Sequence, residues 1–290
     1  MKLREWFKTH PLFTAFILFL ILSLSVGIVY LSITNLFSLN DFLVGLGLSS
    51  ITVSLISYAL RAIIAVIAIF VVIYLLFYQK PRNLVEYTQE FNLTKGHSWV
   101  KTISCGFLSI MIYFAVAISL SIGLEILDEN PFIFYQAPGD GKAGWLLLIA
   151  AINPGVFEEI GFRGIIFSNL EKKYKGWVVV ILSAIFFGLY HFGSLTIGEN
   201  PFTVIFLVLM STTFGLAWGY MRLKTKSIIP SIIVHYLIDA LSEGLLSPNT
   251  TDQGKFGIFI IGLIFLYPLL SILSTKLIFF SLERQARETK

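Results

Sequence analysis

The chain has 290 residues, 56% of them apolar and 13% charged, with a formal net charge of +4 and a mean hydropathy of +0.83. An ordinary soluble domain carries roughly 25% charged residues, so about half of the usual water-facing complement is missing. That excludes a disordered chain, a collagenous fibre and an ordinary cytosolic enzyme. It leaves an all-α polytopic membrane protein, because apolar runs of about 20 residues fit membrane helices and not the ~10-residue alternating strands of a barrel.

The N-terminus is basic, with Lys2, Arg4 and Lys8, and is followed by a charge-free run over 11–40. A secretory signal has an apolar core of only ~7–15 residues, so this run reads as a retained anchor. The charge-free windows 11–40, 62–79, 102–124, 143–157, 176–198, 200–221, 227–238 and 256–275 predict about eight transmembrane helices. The fourth and seventh fall short because Glu158 and Asp239 interrupt them. The stretch 42–60, rich in Gly, Ser and Leu, reads as an outer loop or interfacial segment leading into the second span. The segment 83–101, with Tyr87, Phe91 and Trp99, reads as a connector.

Alternate connections collect the positive charge. Lys80, Arg82, Lys95, Lys101, Lys172, Lys173, Lys175, Arg222, Lys224, Lys226 and the seven residues toward both ends (Lys2, Arg4, Lys8, Lys276, Arg284, Arg287 and Lys290) account for 17 of the 21 Lys and Arg. The other side holds Lys142 and Lys255 with Asp41, Asp128, Glu129, Asp140 and Asp252. This asymmetry places both termini in the cytoplasm, and seven or nine spans would scramble it. The basic residues form no patch, so no nucleic-acid partner is expected. Cys105 lies in an apolar run and reads as a small buried hydrophobe. No internal repeat or domain boundary is visible, so 1–290 reads as one membrane domain.

A charge at the middle of a membrane helix costs at least ~2.5–3.5 kcal/mol, so such groups have partners and tasks. Arg61 and Glu125 lie near span ends, and His10 and His97 lie in flanking polar segments. The remaining group is Glu158, Glu159 and Arg163 in span four, His191 in span five, and His235 and Asp239 in span seven. Counted from the charged turns, Glu158, His191 and Asp239 lie about 20–24 Å deep at ~1.5 Å per residue, with His235 one turn nearer the cytoplasm. Glu159 and Arg163, four apart, share a helix face and form a pair. Glu158 is turned about 100° away and left without that partner, which suits a general base. Asn153, Pro154 and Gly155 should break or kink the span, as is tolerated where backbone lines a protein cavity.

The pattern Glu158-Glu159-x-x-x-Arg163, Phe187-x-x-x-His191 and His235-x-x-x-Asp239 resembles the three motifs of the CAAX protease and bacteriocin-processing (CPBP, or Abi) family of intramembrane peptidases. The resemblance covers about 140–245, the expected catalytic core. It implies an endopeptidase acting on a membrane-associated protein or peptide within the bilayer. Glu158 and His191 would activate water, His235 and residue 239 would steady the oxyanion, and Glu159, Arg163 and Phe187 would support the site. The third motif often ends in Asn, whereas this chain has Asp239. An ionised Asp cannot donate to an oxyanion, so it must be protonated, orient His235 or bind a metal.

Metal-independent chemistry is the preferred reading. A zinc set of His191, His235, Asp239 and Glu158 is the alternative by ligand type, although no HExxH pair is present. The rival functions are a non-catalytic membrane partner, as in bacteriocin self-immunity or sensor-kinase control, and a transporter, which lacks the expected inverted repeat. Family type places the chain as a multi-pass protein of a bacterial cell membrane.

Overall fold

An apolar segment in lipid must satisfy its backbone N–H and C=O groups internally, and this chain does so by helix formation. The computed structural model describes residues 6–7, 9–31, 39–77, 84–94, 96–127, 144–245 and 251–288, and no strand occurs among the described residues. Lys2, Arg4, Lys8, Lys80, Arg82, Lys95, Asp128, Glu129, Asp140, Lys142 and Lys290 lie outside them, as do the side chains of Asp41, Arg61, Tyr87, Arg284 and Arg287.

The helices are α1 (Pro11–Leu31), α2 (Leu39–Gly45), α3 (Ser50–Phe77), α4 (Leu84–Glu90), α5 (Trp99–Gly123), α6 (Gly144–Ala150), α7 (Phe167–Leu170), α8 (Trp177–Tyr190), α9 (Pro201–Thr225), α10 (Ile229–Leu245) and α11 (Gln253–Glu288). Among the described residues, four segments are long and apolar enough to cross a membrane: Trp99–Gly123, Trp177–Leu195, Pro201–Thr225 and Gln253–Phe280. Shorter apolar helices cover Pro11–Leu24, Ile51–Ile67 and Ile229–Leu241. The chain is therefore an all-α polytopic membrane protein, with a helix in each predicted window.

One element differs from the sequence expectation, and the break expected at 153–155 takes a particular form. The stretch 50–60 is not a loop: it forms the first turns of α3, which runs unbroken through residue 61. One arginine does not break a helix, because its side chain takes no part in the backbone ladder. Span four is not one helix. Between α6 and α7 the backbone adopts two π-helical segments, Asn153–Glu158 and Ile160–Ile166, which meet at Glu159. Phe167 N–H donates to Phe162 O five residues back, and Ser183 Oγ on α8 donates to the same carbonyl at 3.2 Å. Such π-bulges cluster at functional sites.

α9 packs along α8 and α11, while α10 packs on α5 and on the first π segment. α9 starts on an Asn200 cap whose side chain accepts from Phe202 N–H at 2.9 Å, with Pro201 at its first position. The 83–101 connector is folded under this bundle. Ile228 N–H donates to Asn92 O at 3.0 Å and His97 N–H to Thr225 O at 3.2 Å, Ser227 Oγ donates to Thr94 O at 2.5 Å, and Phe91 is buried. Gly96 is required there: its φ is +59°, and a Cβ would overlap Thr225 O.

One end of the molecule gathers the basic turns. Arg222, buried in the last turn of α9, pairs with Glu171 at 3.0 Å, and Lys226 reaches the same carboxylate at 3.3 Å. Asn169 Nδ2 donates to Pro11 O at 2.6 Å, so the start of α1 lies at this end too. Lys255 and Glu125, 3.7 Å apart, join the start of α11 to the end of α5.

Gly155 sets how closely α10 approaches the π segment, since a Cβ there would sit 2.6 Å from Tyr236 Cα. Gly155→Ala should therefore destabilise the protein by ~1–3 kcal/mol through overpacking. Gly257→Ala on α11, where a Cβ meets open space, should leave the midpoint unlowered. Thermal unfolding of both variants in detergent checks this.

Candidate active site

The first π segment ends at Glu158 and the second begins after Glu159, so the two carboxylates sit where the backbone register changes. Their fates diverge. Glu159 Oε1 lies 2.8 Å from Arg163 Nη1 and 2.9 Å from His235 Nδ1, with Glu159 and Arg163 fully buried. The pairing of Glu159 with Arg163 follows the four-residue spacing. The bridge from Glu159 to α10 has no sequence signal.

His235 is held at both ring nitrogens. Nδ1 faces Glu159, and Nε2 lies 3.4 Å from Asp239 Oδ2, one turn along α10. A ring carrying a proton on each nitrogen donates toward both carboxylates. The Asp239 contact is long and its side chain is 34% exposed, so this end of the site is open to approach.

Phe187 and Trp218 line the pair. The Arg163 guanidinium lies 4.1 Å over the Phe187 ring and 5.2 Å from that of Trp218, while its Nε and Nη2 make no hydrogen bond. Ring faces stabilise the desolvated cation. The edge of Phe187 also meets His191 and His235 at centroid distances of 5.2 and 5.7 Å. Trp218 is 4.5 Å from His235, and its Nε1 donates to Tyr267 at 2.8 Å.

His191 stands where α8 gives way to a 3₁₀ segment, His191–Ile197. His191 Nε2 and Glu158 Oε2 are buried and have no hydrogen-bond partner among the described residues. Both residues feel the charges of His235, Asp239 and Arg163, so all seven motif residues lie around one site. Sequence reasoning missed Trp218 and Tyr267. Trp and Tyr concentrate at membrane interfaces, and their positions inside apolar runs are the one hint the sequence offers.

Among the described residues, no three His, Cys, Asp or Glu side chains converge to hold a metal. At His235 both ring nitrogens face carboxylates, Glu159 at Nδ1 and Asp239 at Nε2.

Removing one partner of a buried ion pair strands the other. Glu159→Gln should cost ~3–5 kcal/mol, seen as a lower unfolding midpoint in detergent, whereas Glu158→Gln should leave the midpoint near that of the parent. An unchanged midpoint for Glu159→Gln would contradict the structural role.

Comparison with known proteins covers the same region. Residues 140–241 match the family described as type II CAAX prenyl endopeptidase Rce1-like. A curated relative from Methanococcus maripaludis, CAAX prenyl protease 2, is 35% identical over 146 residues, 47% of this chain and 51% of the relative. The match thus spans about half the length of each protein. Residues 140–241, which hold every motif residue named above, are thus similar to CAAX-type endopeptidases, in line with the resemblance of the motifs.

Proposed function

We propose that this chain is an intramembrane endopeptidase of CAAX type, hydrolysing a peptide bond of a membrane-associated protein or peptide in a cell membrane, with both termini cytoplasmic. The archaeal source of the relative means that the resemblance does not by itself select a bacterium. The observation that carries the reading is the contrast within the site. Glu159, Arg163 and His235 are tied to one another, while Glu158 Oε2 and His191 Nε2 are buried with no hydrogen-bond partner among the described residues.

In this reading Glu158 accepts a proton from water as the water oxygen bonds to the scissile carbonyl carbon, with His191 orienting the water. The carbonyl oxygen takes up negative charge. His235 Nε2–H, held only loosely at 3.4 Å from Asp239, serves as its donor. When the C–N bond breaks, the proton held by Glu158 passes to the leaving amine. Asp239 orients His235 and is not itself an oxyanion donor. The chemistry is metal-independent, a reading supported by the engagement of both His235 nitrogens.

Substrates are found by terminal proteomics of membranes from cells with and without the protein, followed by cleavage with the purified chain. Glu158→Gln keeps shape and removes the base, so cleavage should fall at least about hundredfold. Retention of activity within about tenfold of the parent would remove Glu158 from this role.

Asp239→Asn separates the two mechanisms. Without metal, the neutral amide releases His235 Nε2–H and can itself donate, so activity should hold or rise. With zinc, loss of a charged ligand should lower occupancy and activity together. Cleavage is measured beside bound metal before and after chelation. Activity below about 1% with metal lost would establish the zinc mechanism instead.

A further inference from the structure

One hydrogen bond pins a point on an imidazole but not the plane of its ring. His235 Nδ1 is fixed on Glu159 at 2.9 Å, yet with Nε2 only loosely held, 3.4 Å from Asp239, that bond alone lets the ring swing and re-aim Nε2. Two aromatic contacts restrict the swing: the Phe187 edge on one side, at 5.7 Å and 82°, and the Trp218 indole at 4.5 Å and 32°. The indole is itself held. Its Nε1 donates to Tyr267 OH at 2.8 Å. Indole N–H is only a donor, so Tyr267 OH accepts from Trp218; the same hydroxyl is hydrogen-bonded to Ser109 Oγ at 3.0 Å, and Ser109 Oγ to Ser271 Oγ at 2.7 Å, in bonds that either partner can donate.

We propose that Trp218 is the positioning residue for His235, and that Tyr267, anchored on Ser109 and Ser271, locks the plane of the Trp218 indole and so the aim of His235 Nε2. The chain crosses from α9 through α11 to α5, tying the site to helices that carry none of its motifs. All four side chains are almost wholly buried. An apolar residue at 267 would pack as well but leave the indole N–H unsatisfied, free to rotate in search of a partner. Tyr113 and Phe214 meet the Tyr267 ring edge-on at 5.5 and 4.6 Å, which keeps its hydroxyl directed at Trp218.

The kinetic part of the test rests on the endopeptidase reading; the spectroscopic part does not. The full chain is labelled with ¹⁵N-histidine in detergent micelles. It has four histidines, of which exposed His10 and His97 serve as internal references. Trp218→Phe and Tyr267→Phe should each move the His235 ring resonances and leave those of His10 and His97 in place. The double variant should match Trp218→Phe alone, because both act through one hydrogen bond. In cleavage assays kcat should fall about tenfold to hundredfold with KM within about twofold, as expected for a mis-aimed reacting group. Ser109→Ala, which removes one hydroxyl and little volume, carries the same test should Trp218→Phe fail to fold.

Unmoved His235 resonances in folded Tyr267→Phe would overturn the proposal, as would a rise in KM alone. Moved resonances in a protein whose parent form cleaves nothing would overturn the endopeptidase reading and leave the positioning role standing.

Discussion

A single buried carboxylate oxygen organises this molecule. Glu159 Oε1 touches Arg163 on its own segment and His235 on α10. A charge removed from water is tolerable only with its partners in place, so two polypeptide segments must meet at this point and at this distance. Gly155 makes the approach possible, because its lack of a side chain lets the backbone of α10 come alongside. The aromatic rings around Arg163 replace the water it has lost.

The π-helical register gives neighbouring residues opposite roles. A register change between Glu158 and Glu159 sends one carboxylate into the ion pair and leaves Oε2 of the other buried without a hydrogen bond from the described residues. The irregular backbone is sustained by α8, where Ser183 adds a hydrogen bond to Phe162 O. The same α8 ends at His191, so one helix supports the unusual backbone and delivers a polar side chain beside it. Phe187, between these two tasks, touches Arg163, His191 and His235 at once.

Away from the site, the basic end is closed by contacts of similar logic. Glu171 answers the buried Arg222 and the half-exposed Lys226. Asn92 reaches Ser168 at 3.1 Å, and its carbonyl accepts from Ile228. The connector before α5 is thereby bound to the turn between α9 and α10, the segment that sets the start of the helix carrying His235. A residue counted in sequence as a loop charge, Arg222, is in fact an interior one.

The sequence by itself determined the membrane-helical class, the windows that became helices, the pairing of Glu159 with Arg163 and the interruption near Pro154. Each of these rests on local composition or on spacing within one turn, where a few residues carry the physics. It also carried the motif set, because ionisable residues in an apolar run are too costly to be incidental. The tertiary structure alone decided that the break is two π segments, that 50–60 is helical, that Glu159 bridges to His235, and that Trp218 and Tyr267 stand behind the site. The bridge to His235 and the placement of Trp218 and Tyr267 depend on contacts between residues 49 to 158 positions apart. Hydrophobicity is blind to them, since between membrane helices it favours every apolar pairing alike and leaves the choice to shape and hydrogen bonds.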